Sequence, residues 1–212
     1  MNAAMLVIGN RNYSSWSLRA WLALRHCGYV FDTHRIPLDT PSFASELAAY
    51  TRAGRVPVLI DGGQSVWDSL AIAEYAAERT GNGWPSDAHA RAIARSVACE
   101  MHSGFAALRS AWPMDIRARH PGRHADAAVL RDLERIDELW TDCRARFGAG
   151  GPWLFGRYTI ADACYAPVVC RLQTYGSPGF GSVSGAYCAT TLADPHLVEW
   201  SAAAALEKEV LV

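Results

Sequence analysis

The sequence predicts an α/β domain joined to an all-helical one, and three observations carry that prediction. The first 80 residues alternate short apolar or β-branched runs with helical stretches in the order βαβαββα. After Gly81-Asn82-Gly83-Trp84-Pro85 the pattern changes to long Ala-, Arg- and Leu-rich stretches with helical spacing and no convincing strand. Within the first part, Gly54-Arg55-Val56-Pro57-Val58-Leu59-Ile60 and then Trp67-Asp68-Ser69, at the front of an Ala-rich helical run, form a segment suited to face a ligand. The expected division is residues 1–80, a linker at 81–86, and 87–212.

The elements follow in order. Met5 to Ile8 is a short apolar strand. The polar loop from Gly9 to Ser15 leads into a helix that begins at Trp16 and ends near Gly28. Tyr29 to Ile36 alternates up to Pro37 and reads as a second strand, closing a βαβ unit with a right-handed crossover. A short helix over Phe43 to Tyr50 precedes strand 57–60, the Asp61-Gly62-Gly63 turn, strand 64–67 and helix 69–79. Helices are then expected near 87–118, 125–147, 159–173, 184–192 and 195–208, with Pro113 and Pro167 kinking or ending theirs.

Composition excludes several classes of function. The 212 residues are half apolar, enough for a substantial core. A formal charge of -1 and a pI near 6.6 give no electrostatic footprint for nucleic acid. No secretory pattern or membrane-length apolar run is present, so a soluble cytoplasmic protein is expected, with no membrane partner. Six scattered cysteines lack Cys-x-x-Cys, and seven histidines lack ligand spacing, so no metal site is expected.

Proline cannot donate to a strand ladder, so Pro57 at the front of an apolar run marks a strand start or a specialised, often cis, peptide bond. A cis bond would turn the Val56 amide and carbonyl outward to pair with an extended peptide, while Asp68-Ser69 offers a helix N-terminus to a carboxylate. A small anionic peptide fits both.

Taken together, these features resemble the cytosolic glutathione transferase family over essentially the whole chain. The most specific parts are Gly54-Arg55-Val56-Pro57-Val58-Leu59, Asp68-Ser69-Leu70-Ala71-Ile72-Ala73-Glu74-Tyr75 and Gly156-Arg157-Tyr158-Thr159-Ile160-Ala161-Asp162. The resemblance implies a thioredoxin-like first domain that binds glutathione as cosubstrate, an all-α second domain that supplies most of the electrophile pocket, and a homodimer. Asn12-Tyr13-Ser14-Ser15-Trp16-Ser17-Leu18-Arg19 is also similar to the zeta-class active-site start, which carries Ser-Ser-Cys-x-x-Arg. Trp16 stands where that class has cysteine, a departure that reshapes the pocket mouth and leaves the zeta-class substrate in doubt.

A free thiol titrates near pKa ~8.5, so a conjugating site must stabilise the thiolate. Ser14 and Ser15 lie just before the first helix, where a hydroxyl and unpaired amides can do this, and Ser14 is the favoured donor over Ser15 and Tyr13. Plain helix capping is the competing role for both serines. Arg19 either reinforces the anion or forms a structural ion pair. Ser69 is expected to receive the γ-glutamyl carboxylate and Asp68 its ammonium, with Arg55, Val56 and Pro57 completing the peptide site. Met101, Phe105, Arg109 and Trp112 recur at about one helical turn and either line an apolar electrophile pocket with one cation or divide between core and surface. His102 is expected to be structural. Thr159 and Asp162 form a capping box whose role is folding.

The resulting functional reading is a glutathione transferase that adds the thiolate to a small electrophile. The alternatives are a glutathione-dependent isomerase of the maleylacetoacetate type, favoured by an Arg109 requirement for acidic substrates, and a non-catalytic glutathione-binding or protein-interaction module.

Overall fold

The structure, a computed structural model, describes residues 4–177 and 179–211. Its first part comprises β1 (Ala4–Ile8), α1 (Ser15–Cys27), β2 (Phe31–Arg35), α2 (Phe43–Leu47), β3 (Val58–Asp61), β4 (Gln64–Trp67) and α3 (Ser69–Thr80). The sheet order is β2-β1-β3-β4, with β1 parallel to β2 and antiparallel to β3, and β3 antiparallel to β4. The parallel pair needs a crossover, which α1 supplies. α1 ends where Gly28 takes φ +74, a left-handed cap that glycine adopts without a Cβ penalty. Its amide bonds back to the Arg25 carbonyl.

The second part is helical: α4 (Ala88–Ser103), α5 (Ala106–Ala111), α6 (Ala127–Phe147), α7 (Ile160–Tyr175), α8 (Ser182–Leu192) and α9 (Pro195–Ala205), with a 3-10 turn at Gly148–Gly150. Apart from isolated bridges at 153–157, no strand occurs there among the described residues. α7 is the central helix. Almost every residue from Ile160 to Tyr175 is buried, and it packs on both α1 and α4, so one apolar core runs across the two parts. Leu18, Leu22 and Leu24 are fully buried in it, each contributing roughly 1.5–3 kcal/mol of transfer free energy.

One helix expectation is corrected. The expected 87–118 helix breaks after Ser103. Gly104 turns extended while its amide closes the helix onto the Glu100 carbonyl at 2.8 Å, and Phe105 adopts φ +56 before α5 restarts. Of the two effects expected of Pro167, it does not end its helix: α7 continues through it to Tyr175. The Thr159–Asp162 capping box is present. The Asp162 carboxylate accepts from Thr159 N at 2.7 Å, Thr159 Oγ1 at 2.9 Å and Leu154 N at 3.1 Å.

Candidate functional site

Two cavities that share Trp16 lie where the helical part meets the end of the sheet at which β1 and β4 finish and β3 begins. The first, about 500 Å³, is lined by Arg55, Val56, Pro57, Asp68 and Ser69, the five residues expected to hold a peptide, together with Trp16 and His102. The Val56-Pro57 bond is cis. Val56 lies outside the β3 ladder, and its backbone groups make no main-chain hydrogen bond among the described residues. Ser69 opens α3 and is buried, but its hydroxyl also has no partner among the described residues. A free hydroxyl at a helix N-terminus suits a carboxylate.

Asp68 holds φ +74, an uncommon conformation for a non-glycine residue that costs of order 1–3 kcal/mol unless its surroundings enforce it. They do so from two sides. Oδ1 accepts from the amides of Leu70 at 2.8 Å and Ala71 at 3.3 Å, and Oδ2 lies 3.2 Å from His102 Nε2. His102, expected to be structural, therefore carries the helical part into this cleft. A lone histidine on a mixed helix face gives no sequence signal for such a role.

The second cavity, about 650 Å³, is lined by Tyr13, Ser15 and Trp16 from the start of α1 and by Arg109, His120, Arg123, Arg171 and Tyr175 from the helical part. Its one lining carboxylate, Asp115, is engaged by Asn12 Nδ2 at 2.7 Å and the Ala118 amide at 3.2 Å. Arg171 is 3 % exposed, and two backbone carbonyls fix its guanidinium: Trp112 O accepts from Nε at 2.7 Å and Pro167 O from Nη1 at 3.1 Å. Burial pulls it down to about 9, still cationic at neutral pH. A buried guanidinium with no carboxylate partner thus stands beside two further arginines in the lining of this cavity, residues whose chemistry suits acid groups. Of these three arginines, only Arg109 is anticipated from the sequence. The available signal was a single arginine in a run of α7 that is otherwise apolar from Ala163 to Leu172.

The two serines differ. Ser14 is the α1 N-cap; its hydroxyl donates to Ser17 Oγ at 2.7 Å and accepts from the Ser17 amide at 3.4 Å. Ser15 lines the second cavity and makes no side-chain hydrogen bond among the described residues. The Tyr13 hydroxyl accepts from Arg117 Nη2 at 3.1 Å. Arg117 also donates to the carbonyls of Glu207 and Glu209, and the Glu207 carboxylate accepts from the amides of Arg11 and Asn12 at 2.8 and 3.1 Å. The C-terminal segment thus braces the loop that presents Tyr13 and Ser15.

Arg19 is 2 % exposed and has no hydrogen-bond or ion-pair partner among the described residues; its guanidinium lies 4.4 Å from the Trp16 ring. Burial lowers it to about 10. Of the four residues expected to line an electrophile pocket, only Arg109 faces the cavity. Met101, Phe105 and Trp112 are buried in the common core; Met101 lies on the buried face of α4, and the break at Gly104 ends the single face that the spacing implied before it reaches Phe105 and Trp112. Trp112 still supports the cavity from behind, stacking on Tyr175 at 5.3 Å.

Among the described residues no group of three His, Cys, Asp or Glu side chains could hold a metal ion, and no helix is long and apolar enough to cross a membrane.

This arrangement, a thioredoxin-like β/α domain followed by a helical domain, defines a class. Residues 13–79 match the family model of the glutathione S-transferase N-terminal domain and residues 126–203 that of the C-terminal domain. The chain belongs to the glutathione S-transferase family. It is 27% identical over 165 residues to a probable maleylacetoacetate isomerase of Caenorhabditis elegans, covering 75% of this chain and 74% of that one. It is 24% identical over 169 residues to the maleylacetoacetate isomerase of Rattus norvegicus, covering 78% and 76%. The fold is shared with a glutathione transferase homologue from Burkholderia, solved with bound glutathione, at a TM-score of 0.69 and 22% identity over 94% of this chain and 96% of that one.

Proposed function

We propose that this protein binds glutathione in the cleft of Val56, Asp68 and Ser69, stabilises its thiolate with Ser15, and adds the sulfur to a small electrophile that carries an acid group. The observation that carries this reading is that the peptide-suited cleft and the arginine-lined cavity share Trp16, with Ser15 lining the second cavity directly beside it in the chain. The Ser14 hydroxyl is committed to Ser17, which moves the donor role to Ser15. Residues 1–80 supply the glutathione site, and 87–212 supply the electrophile pocket. The family resemblance extends the reading to a cytoplasmic homodimer, which sedimentation of the purified chain checks.

The chemistry needs no general base, because the thiol releases its proton to bulk water and the thiolate left behind is held by Ser15 and the α1 amides. Sulfur then attacks a carbon conjugated to a carbonyl, and the displaced π pair moves onto the carbonyl oxygen. Arg109, Arg123 and Arg171 hold the acid group and favour the anionic enolate. Protonation of the enolate by water gives a conjugate. Rotation about the former double bond followed by expulsion of the thiolate gives cis-trans isomerisation instead. Isomerisation is the second reading, favoured by the three arginines and by the names of the two curated relatives. Isothermal titration with glutathione, followed by product analysis with a cis α,β-unsaturated acid and its neutral ester, tests the proposal. Binding with turnover of the acid over the ester supports it; no glutathione binding contradicts it.

A further inference from the structure

Trp16 lines both cavities, so its indole forms a wall common to the thiol cleft and the arginine-lined cavity. The ring is held on several sides. The Arg19 guanidinium lies 4.4 Å from its centre and that of Arg109 5.4 Å, while the His102 imidazole meets it edge-on at 5.1 Å. Arg19 has no other partner among the described residues, although it is a buried cation. Such a charge is costly to leave uncompensated, and the ring face is the group placed to compensate it. The indole therefore cannot swing aside without stranding Arg19. His102 is itself held by Asp68, and the Arg109 Nη1 donates to the His102 carbonyl at 3.3 Å, so the ring's neighbours are also fixed.

We infer that Trp16 is the specificity-determining residue of the site: a rigid partition that admits to the sulfur only electrophiles narrow enough to pass the indole edge while Arg109 holds their acid group. This rests on the glutathione-dependent reading above. A removable wall makes a size prediction that a merely structural tryptophan does not. Shortening it opens one cavity into the other and changes the order of preference among substrates, whereas a structural role lowers all of them together.

The test compares wild type, Trp16→Ala and Trp16→Phe on two α,β-unsaturated acids, one unbranched and one carrying an aryl group, at saturating glutathione. In parallel, the affinity of an unreactive aryl carboxylate is measured by calorimetry without glutathione. The expected result is a shift of the aryl-to-unbranched kcat/KM ratio of about tenfold or more in Trp16→Ala, a smaller shift the same way in Trp16→Phe, and a matching gain in aryl carboxylate affinity. Trp16→Phe keeps a ring face for Arg19 and so remains informative if Trp16→Ala is unstable. An unchanged ratio with equal losses for both acids, and no gain in aryl carboxylate affinity, overturns the inference. If wild type lacks glutathione turnover, the functional reading fails, and the calorimetric comparison alone decides the role of Trp16.

Discussion

His102 Nε2 lies 3.2 Å from Asp68 Oδ2, so a side chain of α4 meets the residue that caps α3 across the boundary between the sheet-bearing and helical parts. The same carboxylate caps two amides of α3, and Ser69 follows it directly. The orientation of the cleft therefore depends on both halves of the chain.

His102→Ala should weaken glutathione binding through Asp68. Losing one polar contact to a half-exposed carboxylate should raise the KM for glutathione about tenfold, with kcat at saturation changed less than about threefold. His102→Gln, which keeps a donor, should recover part of the loss. Steady-state kinetics on the three proteins checks this; a kcat loss without a KM change would place His102 in the chemical step instead.

Replacing Arg109 or Arg123 by glutamine should raise the KM for an acidic electrophile about tenfold and leave a neutral electrophile unaffected. Both residues line the cavity, and neither belongs to the peptide cleft. Raising ionic strength should weaken the acidic substrate in wild type and matter less in the variants. Equal KM values for acid and ester in wild type would show that the cationic lining selects nothing.

Asp162 should matter for stability and not for turnover. Its carboxylate is buried among three donors, and burial pushes its pKa from 3.8 up to about 6. The folded state therefore holds this proton at a pH where the unfolded state has already released it, so the group's contribution to stability falls as pH rises from about 4 to about 6. Asp162→Asn should remove that slope from urea-unfolding free energies. Asp162→Ala should cost about 1–3 kcal/mol at neutral pH while leaving glutathione KM unchanged.

Local signals were sufficient for much of the fold and for one of the two cavities. Pro57 before a β-branched run, Asp68-Ser69 before an Ala-rich helix and Thr159 three residues before Asp162 are short-range patterns, and they mark the peptide cleft and the α7 cap. The arginine-lined cavity was not legible in the same way. Its cations come from α5, the loop before α6 and α7, which only tertiary packing brings together. The helix break at Gly104 was the second obstacle. Spacing through Met101, Phe105, Arg109 and Trp112 fits one continuous face, but Gly104 and the left-handed Phe105 reset the phase, so that Arg109 alone of the four lines the cavity while the other three are buried in the core. The contrast between Ser14 and Ser15 depends on which hydroxyl the Ser17 side chain engages, a choice that neighbouring identical residues cannot express in sequence.

The most direct test of the central claim is an ultraviolet titration of the thiolate band of glutathione bound to the protein. The expected result is a bound thiol pKa about one or two units below the free value of about 8.5, returning toward it in Ser15→Ala, while Ser14→Ala mainly loosens the α1 cap and keeps most of the shift. A bound pKa equal to the free value, or a shift that survives Ser15→Ala, would contradict it.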